Sequence, residues 1–306
     1  MKNLSIHLTD QCNNSCIFCV VDSYQGCKEK VNRKLVYNYL KSNANKGYER
    51  VNIHGGEPTV IPEFLEILEY INEFNYPTIS LQTNARLLAN MEFAKKVVNK
   101  GVDLFVVSIH GKDAQQHDEL TTVKGSFEEA IEGIKNVIKL GKKVRINTVV
   151  CIQNKDNLVE IIDFCMDLGV NHINISGMHP TGKALKNYEK VVPKYEEIIP
   201  QIKAAADAVA KREVACTIEG VPLCLLDEYV KYCIDWDEDK YKLLFRNIIL
   251  DDYDTFMRVQ ERKLGTPCMS CSQAEKCGGV YNEYIMFNNW DEFEPVNKEE
   301  RVLVKI

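Results

Sequence analysis

Short runs of β-branched and aliphatic residues recur through the first 176 residues. Each is followed by a longer stretch whose apolar residues return every three or four positions. The first pattern fits a buried strand and the second an amphipathic helix, so their alternation predicts an α/β fold with a helix-covered parallel sheet. Six strands are predicted, at Leu4–Leu8, Arg50–His54, Thr78–Gln82, Leu104–Ile109, Val144–Val150 and His172–Ser176. The helix before the fifth strand is the best marked, because Phe127, Ala130, Ile131, Ile134, Val137 and Ile138 fall on one face. Ser126 and Glu129 read as its capping box and Gly141 as its left-handed exit, with Gly47, Gly101 and Gly169 ending three sibling helices. Pro62 is placed to open another helix in its first turn, and a helix over Lys194–Lys211 would cover the sixth strand.

Beyond Glu213 the repeat stops and Tyr, Asp, Trp and Cys become prominent, with one helix expected around Tyr241–Met257. A boundary is therefore expected between an α/β unit over 1–213 and a small second unit over 214–306. With no Gly/Ser linker between them, the two should pack together. Of the 306 residues, Lys+Arg number 38 and Asp+Glu 44, so 38 − 44 = −6, and no basic run stands out. That balance argues against nucleic acid as a partner. No apolar run approaches membrane-spanning length, and the N-terminus has neither a secretory nor a transit pattern, so the expectation is a cytoplasmic protein. In that compartment the 12 cysteines are poorly explained by disulfides and better explained by metal.

Cys12, Cys16 and Cys19 crowd the loop leaving the first strand, at the end of an α/β sheet where ligands bind. Tetrahedral zinc wants a fourth protein ligand nearby, whereas an iron–sulfur cluster held by three thiolates leaves one iron open to another molecule. After the second strand comes HGGEPT, where Gly55 and Gly56 permit close backbone approach to a ligand and Glu57 offers a carboxylate to an amino group. A zinc knuckle, or cysteines that are merely structural, would need no such turn.

With the cysteine triplet and GGE turn in this order, the chain resembles the radical S-adenosylmethionine (radical SAM) enzymes over at least residues 1–180. The resemblance implies a partial (β/α)6 TIM-like barrel. It implies that Cys12, Cys16 and Cys19 hold a four-iron four-sulfur cluster whose open iron chelates S-adenosylmethionine, with Gly55, Gly56 and Glu57 anchoring the methionine amino group. Phe18 matches the position that touches adenine, core packing being its alternative. Ser108 matches a serine on the methionine or ribose side, with structural capping as the alternative. Asn147 is a further cofactor-binding candidate whose direction depends on strand register. The implied chemistry is reductive cleavage to methionine and a 5′-deoxyadenosyl radical, which removes hydrogen from an unactivated carbon. A flavodoxin- or ferredoxin-type protein would supply the electron. One departure stands out: peptide-modifying relatives place an arginine shortly after a His-Asp pair, where this chain has Thr121, and Arg145 is the substitute considered.

The tail carries Cys268, Cys271, Cys277, Gly278 and Gly279, preceded at a distance by Pro222-Leu223-Cys224. This resembles the SPASM or twitch extension behind radical SAM barrels and implies a second, auxiliary four-iron four-sulfur cluster. Cys216 competes with Cys224 for its fourth site. A full SPASM unit would have another cysteine where Tyr281 stands, so one auxiliary cluster is expected rather than two. Cys27, Cys151, Cys165 and Cys233 read as structural, and His54, His110, His117 and His179 as hydrogen-bonded spectators near strand ends. The substrate expected from GGEPT, the HD…GSF segment and the tail is a ribosomally made peptide. The alternative is a small molecule such as a sugar or nucleoside, favoured by the short length and the absence of a leader-binding unit before strand one. A non-catalytic electron carrier or zinc module is the reading from outside the enzyme class, and GGEP opposes it.

Overall fold

A computed structural model describes residues 2–23, 31–234 and 240–297; Cys27 lies outside them. Nine strands form one sheet in the order β7-β6-β5-β4-β3-β2-β1-β8-β9. They are β1 (Lys2–His7), β2 (Arg50–His54), β3 (Thr78–Thr83), β4 (Val102–Ser108), β5 (Lys143–Val149), β6 (His172–Ser176), β7 (Ala215–Glu219), β8 (Lys240–Phe245) and β9 (Ile248–Leu250). Within this sheet every pairing from β7 through β1 to β8 is parallel, and β8–β9 is antiparallel. Helices α1 (Arg33–Asn43), α2 (Phe64–Glu73), α3 (Met91–Asn99), α4 (Ala114–Thr121), α5 (Ser126–Lys139) and α6 (Leu158–Asp167) alternate with the first six strands. The short α7 (Gly182–Lys186) and α8 (Tyr188–Val191) and the long α9 (Tyr195–Ala210) follow β6. The hydrophobic alternation predicts the helix-covered parallel sheet, and its arrangement is the partial (β/α) barrel that the resemblance implies.

The pleat divides the sheet into two chemically distinct faces. Leu4, Ile6, Val51, Ile53, Leu81, Phe105, Val107, Val144, Ile146, Ile173 and Ile175 have no exposure and belong to the main hydrophobic core. Each such side chain contributes ~1.5–3 kcal/mol by leaving water, so the outer face carries the stability. The alternate positions are mostly polar. Ser5, Asn52 and Ser80 join in one inner row by hydrogen bonds of 3.3 and 2.7 Å. Asn147, Asn174 and Thr217 make another, with 2.6 Å between each neighbouring pair.

Three local expectations are corrected. Residues 241–257 do not form one helix: β8 and β9 make a hairpin turning at Arg246-Asn247, and helix begins only at Tyr253–Phe256, labelled α10, continuing as a π-helical stretch over Met257–Glu261. Arg246 sits at φ +54°, the left-handed turn geometry that such a two-residue connection demands. The capping box of α5 is absent, because Gly125 takes the N-cap position and Asp118 of α4 does the capping. Its carboxylate accepts from the Gly125 and Phe127 N–H groups at 2.6 and 2.9 Å, and from the Ser126 hydroxyl at 2.8 Å. Glu129 pairs instead with Arg86 at 2.6 Å. Finally, β7 and β8 join the main sheet from beyond residue 213, so the strands continue past the point where the sequence repeat fades.

Candidate active site

The loop after β1 carries Cys12, Cys16 and Cys19 and is gripped on several sides. From α4, the Thr121 and Leu120 carbonyls accept the Ser15 and Ile17 N–H groups, both at 3.0 Å. After β3, Asn84 Nδ2 donates to Asn13 Oδ1 at 2.6 Å, and Arg86 donates to the Asn13 carbonyl and, at 2.8 Å, to Asn14 Oδ1. After β6, Lys183 Nζ donates to Ser15 Oγ at 2.7 Å and to the Ser23 carbonyl at 2.9 Å, while Asn187 donates to the Ile17 carbonyl at 2.8 Å. Gly182 allows that last approach: at φ +57°, a Cβ there would lie 2.5 Å from the Val20 carbonyl oxygen.

Gly55 and Gly56 serve the same loop. A Cβ on Gly55 would meet the Thr9 carbonyl oxygen at 2.5 Å, and one on Gly56 would meet that of Gln11 at 2.4 Å. Their smallness lets the turn after β2 dock onto the start of the cysteine loop, where the Gly56 and Glu57 N–H groups donate to Thr9 and Gln11. Glu57 departs from its expected orientation. It has no exposure, and its Oε1 accepts from the Thr59 N–H (3.1 Å) and the hydroxyls of Thr59 (2.6 Å) and Thr83 (2.8 Å). Its Oε2 accepts the Asn84 N–H at 2.7 Å. Burial still pushes this carboxyl above its ordinary pKa, against the pull of those donors. Glu57 therefore ties the turn to the Asn84 segment that grips Asn13.

The thiols are coupled to one another. Burial pushes Cys12 up to about 12, with the nearby Glu57 and Cys19 adding to the rise and Arg86 opposing it. Burial likewise raises Cys16, helped by Cys19 and Cys12 and opposed by Lys183. Such a site disfavours bare thiolates and rewards a bound cation, with Arg86 and Lys183 offsetting ligand charge. Three adjacent thiols on a loop held by neutral and cationic donors match the donor chemistry of a three-thiolate iron–sulfur cluster.

Phe18 is 5% exposed and sets its ring edge-on to His110, 4.9 Å between centroids, an arrangement that gives it a packing role. Ser108 and Asn147 are register partners at the carboxyl ends of β4 and β5. Asn147 turns to the inner face, where its Oδ1 accepts from Asn174. Arg145 also lies inside the barrel, where burial lowers its pKa, Glu219 is near enough to oppose that fall and Arg50 near enough to add to it. Thr121 is buried and bonded to Ser126. His54 and His110 are held neutral by burial, both near 3, and His179 stacks on Tyr281 at 4.2 Å. Sequence reasoning missed Asn84, Arg86, Lys183 and Asn187; their signal is position, since each follows the carboxyl end of a strand.

The second set of thiols also converges. Cys224, Cys268, Cys271 and Cys277 line one concavity of about 380 Å³, walled by Pro222, Leu264, Pro267 and Val280 and open to solvent. Burial raises Cys224 to about 12, and the other three thiols push the same way. Cys216 sits on β7 and is not among the lining residues. Cys151 and Cys165 are wholly buried in the core. Cys233 is half-buried beside the β7 edge, bridging to Ile218.

No helix among the described residues is long and apolar enough to cross a membrane. Residues 6–165 match the sequence model of the radical SAM superfamily. A protein of Sulfurisphaera tokodaii named "Probable GTP 3',8-cyclase" is 30% identical over 213 residues, which are 69% of this chain and 67% of that protein. One of the same name from Saccharolobus islandicus is 31% identical over 183 residues, 60% of this chain and 58% of its own length. Among solved structures, Streptococcus suis SuiB bound to S-adenosylmethionine has a TM-score of 0.67 at 19% identity, covering 96% of this chain and 76% of SuiB. The anSMEcpe enzyme with bound AdoMet reaches 0.64 at 15%, covering 96% of this chain and 93% of its own. The two structures speak for the fold alone. The family match spans more than half of the chain and takes in both the cysteine loop and the GGE turn that docks on it, so the chain belongs to the radical SAM superfamily.

Proposed function

We propose that this protein modifies a ribosomally made peptide by hydrogen abstraction, using a second, fully thiolate-held iron–sulfur cluster beside its radical SAM site. The observation that carries this reading is the convergence of Cys224, Cys268, Cys271 and Cys277 on one concavity. Four thiolates complete the ligand set of a four-iron cluster, which suits a cluster that takes up an electron better than one that ligates substrate. When bound at the first site, the cluster and S-adenosylmethionine supply a 5′-deoxyadenosyl radical able to abstract hydrogen from an unactivated carbon.

The chain's own residues do the holding. Cys12, Cys16 and Cys19 are the proposed ligands of the first cluster, while Arg86 and Lys183 fix their loop and oppose its charge. The Gly55-Gly56 backbone is the proposed support for the methionine amino group, with Glu57 positioning it from behind. Ser108 and Asn147 border the cofactor's other side. Phe18 holds the loop's far wall against His110, keeping water out of that edge. A flavodoxin- or ferredoxin-type donor would deliver the electron.

The peptide reading draws on the GGEPT, HD…GSF and PLC…CxxC…CGG segments. Likeness to SuiB, also solved bound to precursor peptide SuiA, extends over 97% of this chain and so includes the tail. A nucleotide substrate is the second reading, favoured by the relatives named as GTP cyclases. Incubating reduced protein and S-adenosylmethionine with candidate precursor peptides, and separately with GTP, decides between them. A mass change in a peptide supports the first; conversion of GTP with every peptide unchanged replaces it by the second.

A further inference from the structure

The inner face of the barrel carries a polar cluster that neither cysteine site uses. Asn3 of β1 has no exposure, and neither its amide oxygen nor its amide nitrogen has a hydrogen-bond partner among the described residues. Strand register sets it directly between Arg50 of β2 and Tyr241 of β8. Arg50 and Arg145 each bury an Nε that likewise has no partner there. The two guanidinium groups are near enough to oppose one another, and Glu219 of β7 is the counter-charge beside Arg145. Glu219 itself accepts from Asn174 Nδ2 at 3.1 Å.

Two guanidinium groups stand in this partly dehydrated interior, with the Glu219 carboxylate beside Arg145 and the Asp254 carboxylate accepting the Tyr241 N–H at 3.0 Å. An amide with unused donor and acceptor positions lies beside Arg50. Folding alone gives no reason for this arrangement, because apolar side chains would fill the space without the desolvation cost. The pieces do fit a visiting anion, since a guanidinium fork matches the paired oxygens of a carboxylate or phosphate.

We infer that Asn3, Arg50 and Arg145 form a binding site for an oxyanion of the substrate, carboxylate or phosphate, inside the barrel below the cysteine loop. The inference rests on the reading above that the chain abstracts hydrogen from a bound substrate at its radical SAM site. Arg50 opens β2 and the GGE turn follows its last residue, His54. At ~3.3 Å per residue the ends of that strand stand about 13 Å apart. A molecule anchored at Arg50 would therefore reach the cofactor end if it had the length of a nucleotide or a short peptide segment.

The test titrates iron-loaded protein, without S-adenosylmethionine, with inorganic phosphate and GTP as phosphate probes and N-acetylglutamate as the carboxylate probe, read by calorimetry. At least one probe should bind saturably, and both Arg50→Gln and Arg145→Gln should weaken it at least tenfold, while the surface control Arg33→Gln leaves it unchanged. Which probe binds identifies the source of the oxyanion. Should Arg145→Gln fail to fold, Arg145→Lys keeps the charge, loses the fork and should weaken binding by a smaller factor. Absence of saturable binding by every probe, or equal affinity in wild type and the Arg50 and Arg145 variants, overturns the site. Wild type assayed in parallel for 5′-deoxyadenosine separates the two claims: anion binding without that product fails the radical reading alone, and the product without anion binding fails this one alone.

Discussion

Glu57→Gln is the sharpest probe of how the cysteine loop is held. Glu57 Oε1 accepts three hydrogen bonds and Oε2 accepts one, from the Asn84 N–H at 2.7 Å. Glutamine has nearly the same volume, so no cavity forms, but its NH2 must face a donor. The least costly choice turns it toward Asn84, which removes one charge-assisted bond and leaves a buried N–H opposed by another. A bond to a charged group contributes roughly 1.5–3 kcal/mol, and relief of the buried charge offsets part of the loss, so about 2 kcal/mol of destabilisation is expected. At about 2–4 °C per kcal/mol for a chain of this size class, the unfolding midpoint should fall by roughly 4–8 °C. Because Asn84 holds Asn13 of the cysteine loop at 2.6 Å, iron occupancy at the first site should fall as well. Anaerobic thermal unfolding with iron analysis reads both. An unchanged midpoint and iron content, combined with lost S-adenosylmethionine affinity, would refute the argument and make the carboxylate a direct ligand of the cofactor.

Cys224→Ala should lower iron from about eight to about four atoms per chain and stop substrate turnover, while Cys216→Ala changes neither; reversed outcomes would make Cys216 the ligand. Gly182→Ala should cost at least ~1 kcal/mol through left-handed strain and displace the Cys19-Val20 backbone, seen as reduced iron loading; full loading would remove Gly182 from the loop's support. Burial raises Asp118, but its donors Gly125, Phe127 and Ser126 win, and its carboxyl ends below the ordinary value of 3.8. The stability it supplies is present above that value and is lost as pH falls through the lower folded one. Asp118→Asn should therefore cost about 1 kcal/mol at neutral pH and flatten the acid limb below pH ~4, and an acid limb matching wild type would contradict the cap.

The strands were legible because their outer residues, such as Ile53, Phe105 and Ile146, had to be continuously apolar beneath covering helices. Both cysteine groups were legible because each sets three thiols within ten residues of one another, a spacing that scattered structural cysteines rarely show. The hairpin at Arg246-Asn247 was not, since Tyr241, Leu244, Phe245, Ile248 and Ile249 also satisfy helical spacing and only the Arg-Asn pair marks the turn. Ser126 and Glu129 showed a capping pattern, yet Asp118, eight residues before Ser126, held a better geometry. The direction of Asn147 required the β5–β6 register, a non-local property that no local pattern contains. Glu57 was read as facing a ligand because its motif names the residue type and leaves open which partners reach it; Thr83 and Asn84 come from the end of another strand.

The central claim is that the Cys12, Cys16 and Cys19 loop performs radical SAM chemistry. The most direct measurement incubates anaerobically reconstituted, reduced protein with S-adenosylmethionine and quantifies 5′-deoxyadenosine by mass spectrometry, in wild type and in Cys16→Ala. The account predicts steady formation by wild type and none by the variant, whose barrel should still unfold cooperatively. No product from iron-loaded wild type, or equal product from Cys16→Ala, would contradict it.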